Sequence, residues 1–168
     1  MPSYTHLAYR RNAKAAARKQ QIKKPKNQES LQKAREDFGY FCEYVADKPP
    51  AEHHKIWHRH FVTNEDSSCL LKIAGPNVDL LAPRGSAKST VLGLLTAWAI
   101  GIHTQAKQPL QVLYLSYTVD IARSKSATIK RIIESKRYQE VFPKVRLLKN
   151  VTSNEYWSID HKFAGIDT

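Results

Sequence analysis

Residues 78–95 read VDLLAPRGSAKSTVLGLL, and the predicted fold is built outward from this stretch. Its first five residues, 78–82, form a short apolar run typical of a buried strand. A turn of mostly small residues follows, and Lys88, Ser89 and Thr90 then open a leucine-rich segment that predicts a helix over 92–102. Strand, tight turn, Lys-Ser pair and helix is the order found in phosphate-binding loops.

Such a loop holds phosphates with backbone N–H groups and the helix N-terminus, while its Lys reaches the β/γ oxygens and its Ser ligates Mg²⁺. The usual pattern places Gly six residues and one residue before the Lys, where this chain has Ala82 and Ala87. The alternative is an ordinary strand-to-helix connection with Lys-Ser-Thr occurring by chance. We expect ATP and Mg²⁺, with Ser89 as the metal ligand, to be bound by Pro83, Arg84, Gly85, Ser86, Ala87, Lys88, Ser89 and Thr90.

A second apolar run, LQVLYLS at 110–116, is followed by a helical pattern over 121–135. A run that is apolar almost throughout is typical of a parallel strand buried on both faces. Strands that alternate with helices predict an α/β fold. The expected architecture is a P-loop NTPase-like parallel sheet flanked by helices, incomplete, with a helical N-terminal region. Ligands of such sheets bind at the carboxyl ends of the strands, where Lys88 and the turn at 116–118 fall.

The predicted organisation is a basic arm over 1–28 and a partial P-loop ATPase domain over 29–168. Residues 29–64 form a helical lead-in, predicted as one amphipathic helix over 29–47 and a second over 52–62. Residues 70–135 form the phosphate-loop core of alternating strands and helices. Short strands are expected within 138–168, at 145–148 and 156–159, with a turn at 150–154 and a possible return strand at 161–165.

The composition indicates a polyanionic partner. The chain of 168 residues carries 27 Lys and Arg against 15 Asp and Glu, a net charge of +12. This favours nucleic acid before membrane. No apolar run approaches the length of a membrane span. Cys42 and Cys69 make no disulfide framework or paired metal motif, so a reducing cytoplasm is the default compartment.

The arm has a strongly biased charge. Residues 1–28 contain basic side chains and no Asp or Glu, a composition that predicts disorder. One interpretation is an arm that docks on the phosphates of double-stranded DNA, and the other is a solvated tail without a fixed partner. The candidate nucleic-acid contacts are Arg10, Arg11, Lys14, Arg18, Lys19, Lys23, Lys24 and Lys26.

A histidine cluster precedes the loop, at His53, His54, His58 and His60. His54 and His58 lie four residues apart and could share a helix face, as paired zinc ligands do. The sequence offers no Glu after the first His and no third ligand, which favours histidines of the helix surface or core. A further possibility is that Trp57 or a His lies near a nucleotide base.

The loop LAPRGSAKST at 81–90 resembles the phosphate loop of tailed-phage terminase large subunits, the motors that package DNA into proheads. These proteins often have an Arg four residues before the Lys, and Arg84 occupies that place. The segment at 112–120 and the aromatic-rich run at 57–61 are similar to the corresponding parts of the family. The resemblance covers roughly residues 35–165 in layout, with only the loop specific.

The resemblance implies an ATPase in which Lys88 holds the β/γ-phosphates and Arg84 stabilises the γ-phosphate, with Ser89 on Mg²⁺. A guanidinium there would neutralise charge that spreads over the γ-phosphate oxygens during transfer. The implied partners are double-stranded DNA, a terminase small subunit and a portal protein, with homo-oligomers only on the prohead. The implied location is the cytoplasm of a phage-infected or prophage-carrying bacterium, with no membrane.

Hydrolysis also needs an acidic metal-binding strand and a water-positioning carboxylate. No apolar run ending in Asp-Glu or Asp-Asp follows the loop, so we expect an N-terminal portion with little turnover by itself. The family's nuclease carboxylates are likewise not represented. The alternatives are another, helicase-like P-loop ATPase, or a remnant that binds nucleotide or DNA without hydrolysing.

Overall fold

The computed structural model describes residues 28–63, 72–73, 79–160 and 162. Contacts divide the chain after Ser30, and the fold below is that of the unit beginning at Leu31. The helices are α1 (Gln28–Glu36), α2 (Phe38–Ala46), α3 (Glu52–Phe61), α4 (Lys88–Gln105), α5 (Val119–Glu134) and α6 (Lys136–Val141). The strands are β1 (Val62–Thr63), β2 (Lys72–Ile73), β3 (Leu147–Thr152) and β4 (Trp157–Ile159).

The single helix predicted over 29–47 is wrong, because the chain breaks between α1 and α2 at Asp37. Asp37 has extended backbone angles, and its side chain accepts a hydrogen bond from Tyr40 N–H at 2.7 Å. An Asp in this position caps the following helix, which local apolar spacing does not reveal. The lead-in is nevertheless helical, with α3 close to the helix predicted over 52–62.

Helix α4 is the centre of the core. It is longer than predicted, and its buried residues include Leu94, Ala97 and Trp98. The indole N–H of Trp98 donates to the carbonyl of Ala34 in α1 at 3.1 Å. An added Cβ at Gly101 would lie 2.4 Å from the ring of Phe142, so helix and ring are in direct contact.

Helices α5 and α6 pack beside α4 and are joined at Ser135. The Ser135 side chain accepts from Tyr138 N–H at 3.3 Å and so caps α6. Tyr138 is fully buried, and its hydroxyl donates to the carbonyl of Ala97 at 2.8 Å. Ile129 and Ile133 of α5 are buried, whereas Ile121 in its first turn is 44% exposed.

Two short strands form an antiparallel hairpin at the end of the described chain. β3 pairs with β4 through Leu147 opposite Ile159 and Thr152 opposite Trp157. This confirms strands in both predicted places, although β3 continues through part of the predicted turn at 150–154. The Trp157 indole N–H donates to Ser126 Oγ of α5 at 2.8 Å. The predicted return strand at 161–165 lies outside the described residues apart from position 162.

The predicted parallel sheet is wrong. The described residues contain only two-stranded antiparallel pairs, β1 with β2 and β3 with β4. Residues 79–82 and 110–116 are not strands, and Val78 lies outside the described part. Leu81 is 97% exposed, Leu113 82% and Leu115 79%. An apolar run becomes a buried strand only when neighbours pair with its backbone and cover its faces, and local pattern does not supply them.

Candidate phosphate-binding loop

Residues 82–90 form a turn that leads directly into α4. Gly85 has φ +84° and Ala87, the residue before the helix, has φ +58°. Positive φ is free for Gly but disfavoured for Ala by roughly 1–2 kcal/mol. The loop therefore adopts the left-handed conformation at the position where the usual motif has Gly, even though this chain has Ala.

Lys88 folds back across this turn. Its ammonium donates to the carbonyl of Ala82 and, at 3.3 Å, to that of Pro83. The side chain is half-buried, although it lies in the first turn of the helix. The positive charge is thus held over the start of the loop instead of extending into solvent.

The carbonyl of Pro83 is the common acceptor of the turn. Ser86 donates to it from its hydroxyl at 2.8 Å and from its backbone N–H at 3.4 Å. Together with Lys88, these bonds close residues 83–86 into a tight turn.

Several N–H groups at the opening of α4 remain available. Thr90 and Val91 donate to the carbonyl of Ala87. No carbonyl within the described ranges accepts from the N–H groups of Gly85, Ala87 or Lys88. Unpaired N–H groups and the positive end of the helix dipole favour an anion at this place.

The loop is also bound from the side by α3. His54 is buried, and its Nε2 lies 2.8 Å from the carbonyl oxygen of Ser86. Its Nδ1 accepts from Ala51 N–H at 3.2 Å. A ring that accepts at Nδ1 carries its proton on Nε2, so Nε2–H donates to Ser86.

The remaining predicted ligands are open to solvent. Arg84, Ser89 and Thr90 are exposed, as are Pro83, Gly85 and Ala87, while Ser86 is half-buried. Arg84 makes no ion pair within the described ranges, and its side chain is available to an incoming anion. The structure thus brings residues 83–90 together in one turn without the strand predicted before it.

Comparison with protein-family models, curated proteins and solved structures finds no match.

Two of the four histidines, His54 and His58, are packed against other side chains, whereas His53 and His60 are exposed. His58 stacks on Phe38 with ring centroids 4.9 Å apart, and burial lowers its pKa. His54 uses both ring nitrogens in hydrogen bonds, and Trp57 packs against it at 5.1 Å. Within residues 28–63, 79–160 and the few others described, no group of three or more His, Cys, Asp or Glu is arranged for a metal ion.

The predicted nucleic-acid contacts, Arg10 through Lys26, lie outside the described residues. In the described part, no helix is both long and apolar enough to cross a bilayer. Cys42 is buried and free, and burial raises its pKa to about 12.

His54 is the residue of this site that sequence reasoning missed. Its contact with the loop spans 32 positions in the chain, and the local pattern favoured a histidine of the helix surface or core. The one indirect indication that His54 lies near the loop was its position on a helix that precedes the loop in the sequence.

Proposed function

We propose that this chain binds ATP·Mg²⁺ through residues 82–90 and functions in a DNA-packaging ATPase of the phage terminase large-subunit type. The observation that carries the proposal is the position of Lys88. Its ammonium lies over the turn, on the carbonyls of Ala82 and Pro83, beside unpaired N–H groups at the start of α4. A cation, free N–H donors and a helix N-terminus converge where an anion is best stabilised.

The roles follow from this placement. Lys88 contacts the β/γ-phosphates, and the N–H groups of Gly85, Ala87 and Lys88 donate to phosphate oxygens. Ser89, exposed in the first turn of α4, ligates Mg²⁺ through its hydroxyl. Arg84, exposed four residues before Lys88, neutralises charge on the γ-phosphate during transfer.

We expect little hydrolysis by the chain alone, because the sequence after the loop offers no apolar strand ending in paired acids. This property does not distinguish the packaging motor from a helicase-like ATPase or a non-hydrolysing remnant. The packaging motor is favoured by Arg84 in the loop and by the net charge of +12. Double-stranded DNA is the proposed nucleic acid, with a small subunit and a portal protein as partners in the bacterial cytoplasm.

The test is nucleotide binding by purified chain, measured by isothermal titration with ATP·Mg²⁺. Lys88→Ala is expected to weaken binding roughly 10- to 100-fold, because charge-assisted hydrogen bonds contribute about 1.5–3 kcal/mol. Lys107→Ala, at the opposite end of α4, removes the same charge from an exposed position and is the matched control. Absence of wild-type binding at millimolar ATP·Mg²⁺, or equal losses in both variants, would contradict the proposal.

A further inference from the structure

Ala87 has an unfavourable backbone conformation that something in the structure must hold. Its φ is +58°, where an L-residue other than Gly is strained, and its side chain makes no cap hydrogen bond. The neighbouring Gly85 has the same sign of φ without this penalty. Strain of this kind persists only where surrounding contacts determine the backbone.

The contact that acts on this peptide comes from His54. The carbonyl of Ser86, which accepts from His54 Nε2–H at 2.8 Å, belongs to the same planar unit as Ala87 N–H. The described residues contain no cis peptide bond, so the carbonyl and the N–H of this unit point in opposite directions. Fixing the carbonyl toward α3 therefore directs Ala87 N–H away from α3.

We propose that His54 is a positioning residue that fixes the Ser86–Ala87 peptide, so that Ala87 N–H remains available as a phosphate donor despite the alanine at positive φ. The ring is itself fixed. Ala51 N–H holds Nδ1 at 3.2 Å, and His54 is 8% exposed. Trp57 and His53 pack around the ring, with centroids 5.1 and 4.0 Å from it.

This inference rests on the proposed function for its binding consequence but not for its structural one. Without the hydrogen bond from His54, the Ser86–Ala87 peptide would be free to rotate. Ala87 would then relax to negative φ, and its N–H would point in another direction. Gly occupies both signs of φ about equally, so a glycine at position 87 would keep the donor without help from His54. His54 and Ala87 should therefore be energetically coupled.

The experiment measures binding of inorganic tripolyphosphate with Mg²⁺ in a double-mutant cycle of His54→Ala and Ala87→Gly. We expect His54→Ala to weaken binding roughly five- to tenfold, the effect of one hydrogen bond of about 1–1.4 kcal/mol. In the Ala87→Gly background, His54→Ala should weaken tripolyphosphate binding by less than about twofold. A purely structural role of His54 predicts instead the same loss of affinity in both backgrounds. His60→Ala, which removes an exposed histidine of the same helix α3, is the matched control and should leave affinity unchanged.

Equal losses in the two backgrounds, or no loss from His54→Ala, would overturn the proposal. Imidazole ¹⁵N NMR of the unliganded wild type gives a readout that needs no phosphate. It should show the Nε2–H tautomer for His54, and an Nδ1–H tautomer would refute the inference. If tripolyphosphate and ATP do not bind the wild type while the Nε2–H tautomer is observed, the proposed function fails and the contact of His54 with the loop stands.

Discussion

Helix α4 joins two regions that differ in how fully they are packed. Its C-terminal half lies in the helical core, where Gly101 contacts Phe142 and the Tyr138 hydroxyl bonds to Ala97. Its N-terminal end follows the segment 79–82, and the segment 110–116 comes after its C-terminal end; both are apolar in sequence but largely exposed. One helix thus connects a closed core with a segment whose apolar side chains face solvent.

An apolar sequence is therefore not sufficient for burial in this chain. Phe142 and Tyr138 are fully buried, because α2, α4 and α6 present complementary faces to them. Leu113 and Leu115 are at least as apolar in their local pattern, yet no described element covers them. The backbone of the loop at residues 82–87 is instead held by hydrogen bonds from the side chains of Lys88, Ser86 and His54.

The largest contrast is expected between Phe142→Ala and Leu113→Ala. Removing the Phe142 ring leaves a cavity among Gly101, Phe41 and Tyr138 and should lower the free energy of unfolding by roughly 3–5 kcal/mol. Leu113 is 82% exposed, and its truncation should change the free energy of unfolding by less than about 0.5 kcal/mol. Urea unfolding followed by circular dichroism measures both. A comparable loss from the two variants would show that residues 110–116 are part of the core.

Three Gly→Ala substitutions between residues 85 and 101 are expected to have different effects on stability. Gly101→Ala should destabilise by about 1–3 kcal/mol, since its Cβ would overlap the Phe142 ring. Gly85→Ala should cost about 1–2 kcal/mol from φ alone, because nothing lies within 4 Å of the added Cβ. Gly93→Ala is the control, with an ordinary 3.7 Å contact to Ile129, and should stabilise by up to about 1 kcal/mol. If thermal unfolding showed the same change in stability for Gly85→Ala as for Gly93→Ala, the left-handed conformation of the loop at Gly85 would be refuted.

The smallest expected effect is the pH dependence contributed by His58. Burial against Phe38 lowers its pKa, an effect that nearby Asp37 opposes and Arg59 reinforces. The unfolded state therefore binds this proton more readily, and stability should fall as pH decreases below about 6.5, levelling off below the folded pKa. The slope is at most about 1.4 kcal/mol per pH unit, the limit for one proton. His58→Gln should reduce the difference between the unfolding free energies at pH 7 and pH 5. An unchanged difference would show that His58 does not contribute to this pH dependence.

Much of the helical structure was predictable because its signals are local. Residues 119–134 show apolar spacing after a Thr118 cap, and residues 88–105 form a long apolar segment after a turn. Two short apolar runs likewise predicted strands near the places of β3 and β4, with boundaries shifted by a few residues, whereas their pairing was not predicted. The helix break at Asp37 was missed, because capping by a single side chain interrupts the backbone without interrupting the apolar pattern.

The sequence by itself determined the basic charge of the chain, its helical segments and a loop with Gly85, Lys88 and Ser89 before a helix. Spacing within a few residues is enough for each, because helix periodicity and turn chemistry are local. Only the tertiary structure decided that 110–116 is not a strand and that His54 bonds to Ser86. Both depend on which distant segments meet, and the free energy of pairing or burial exists only once those segments are in contact.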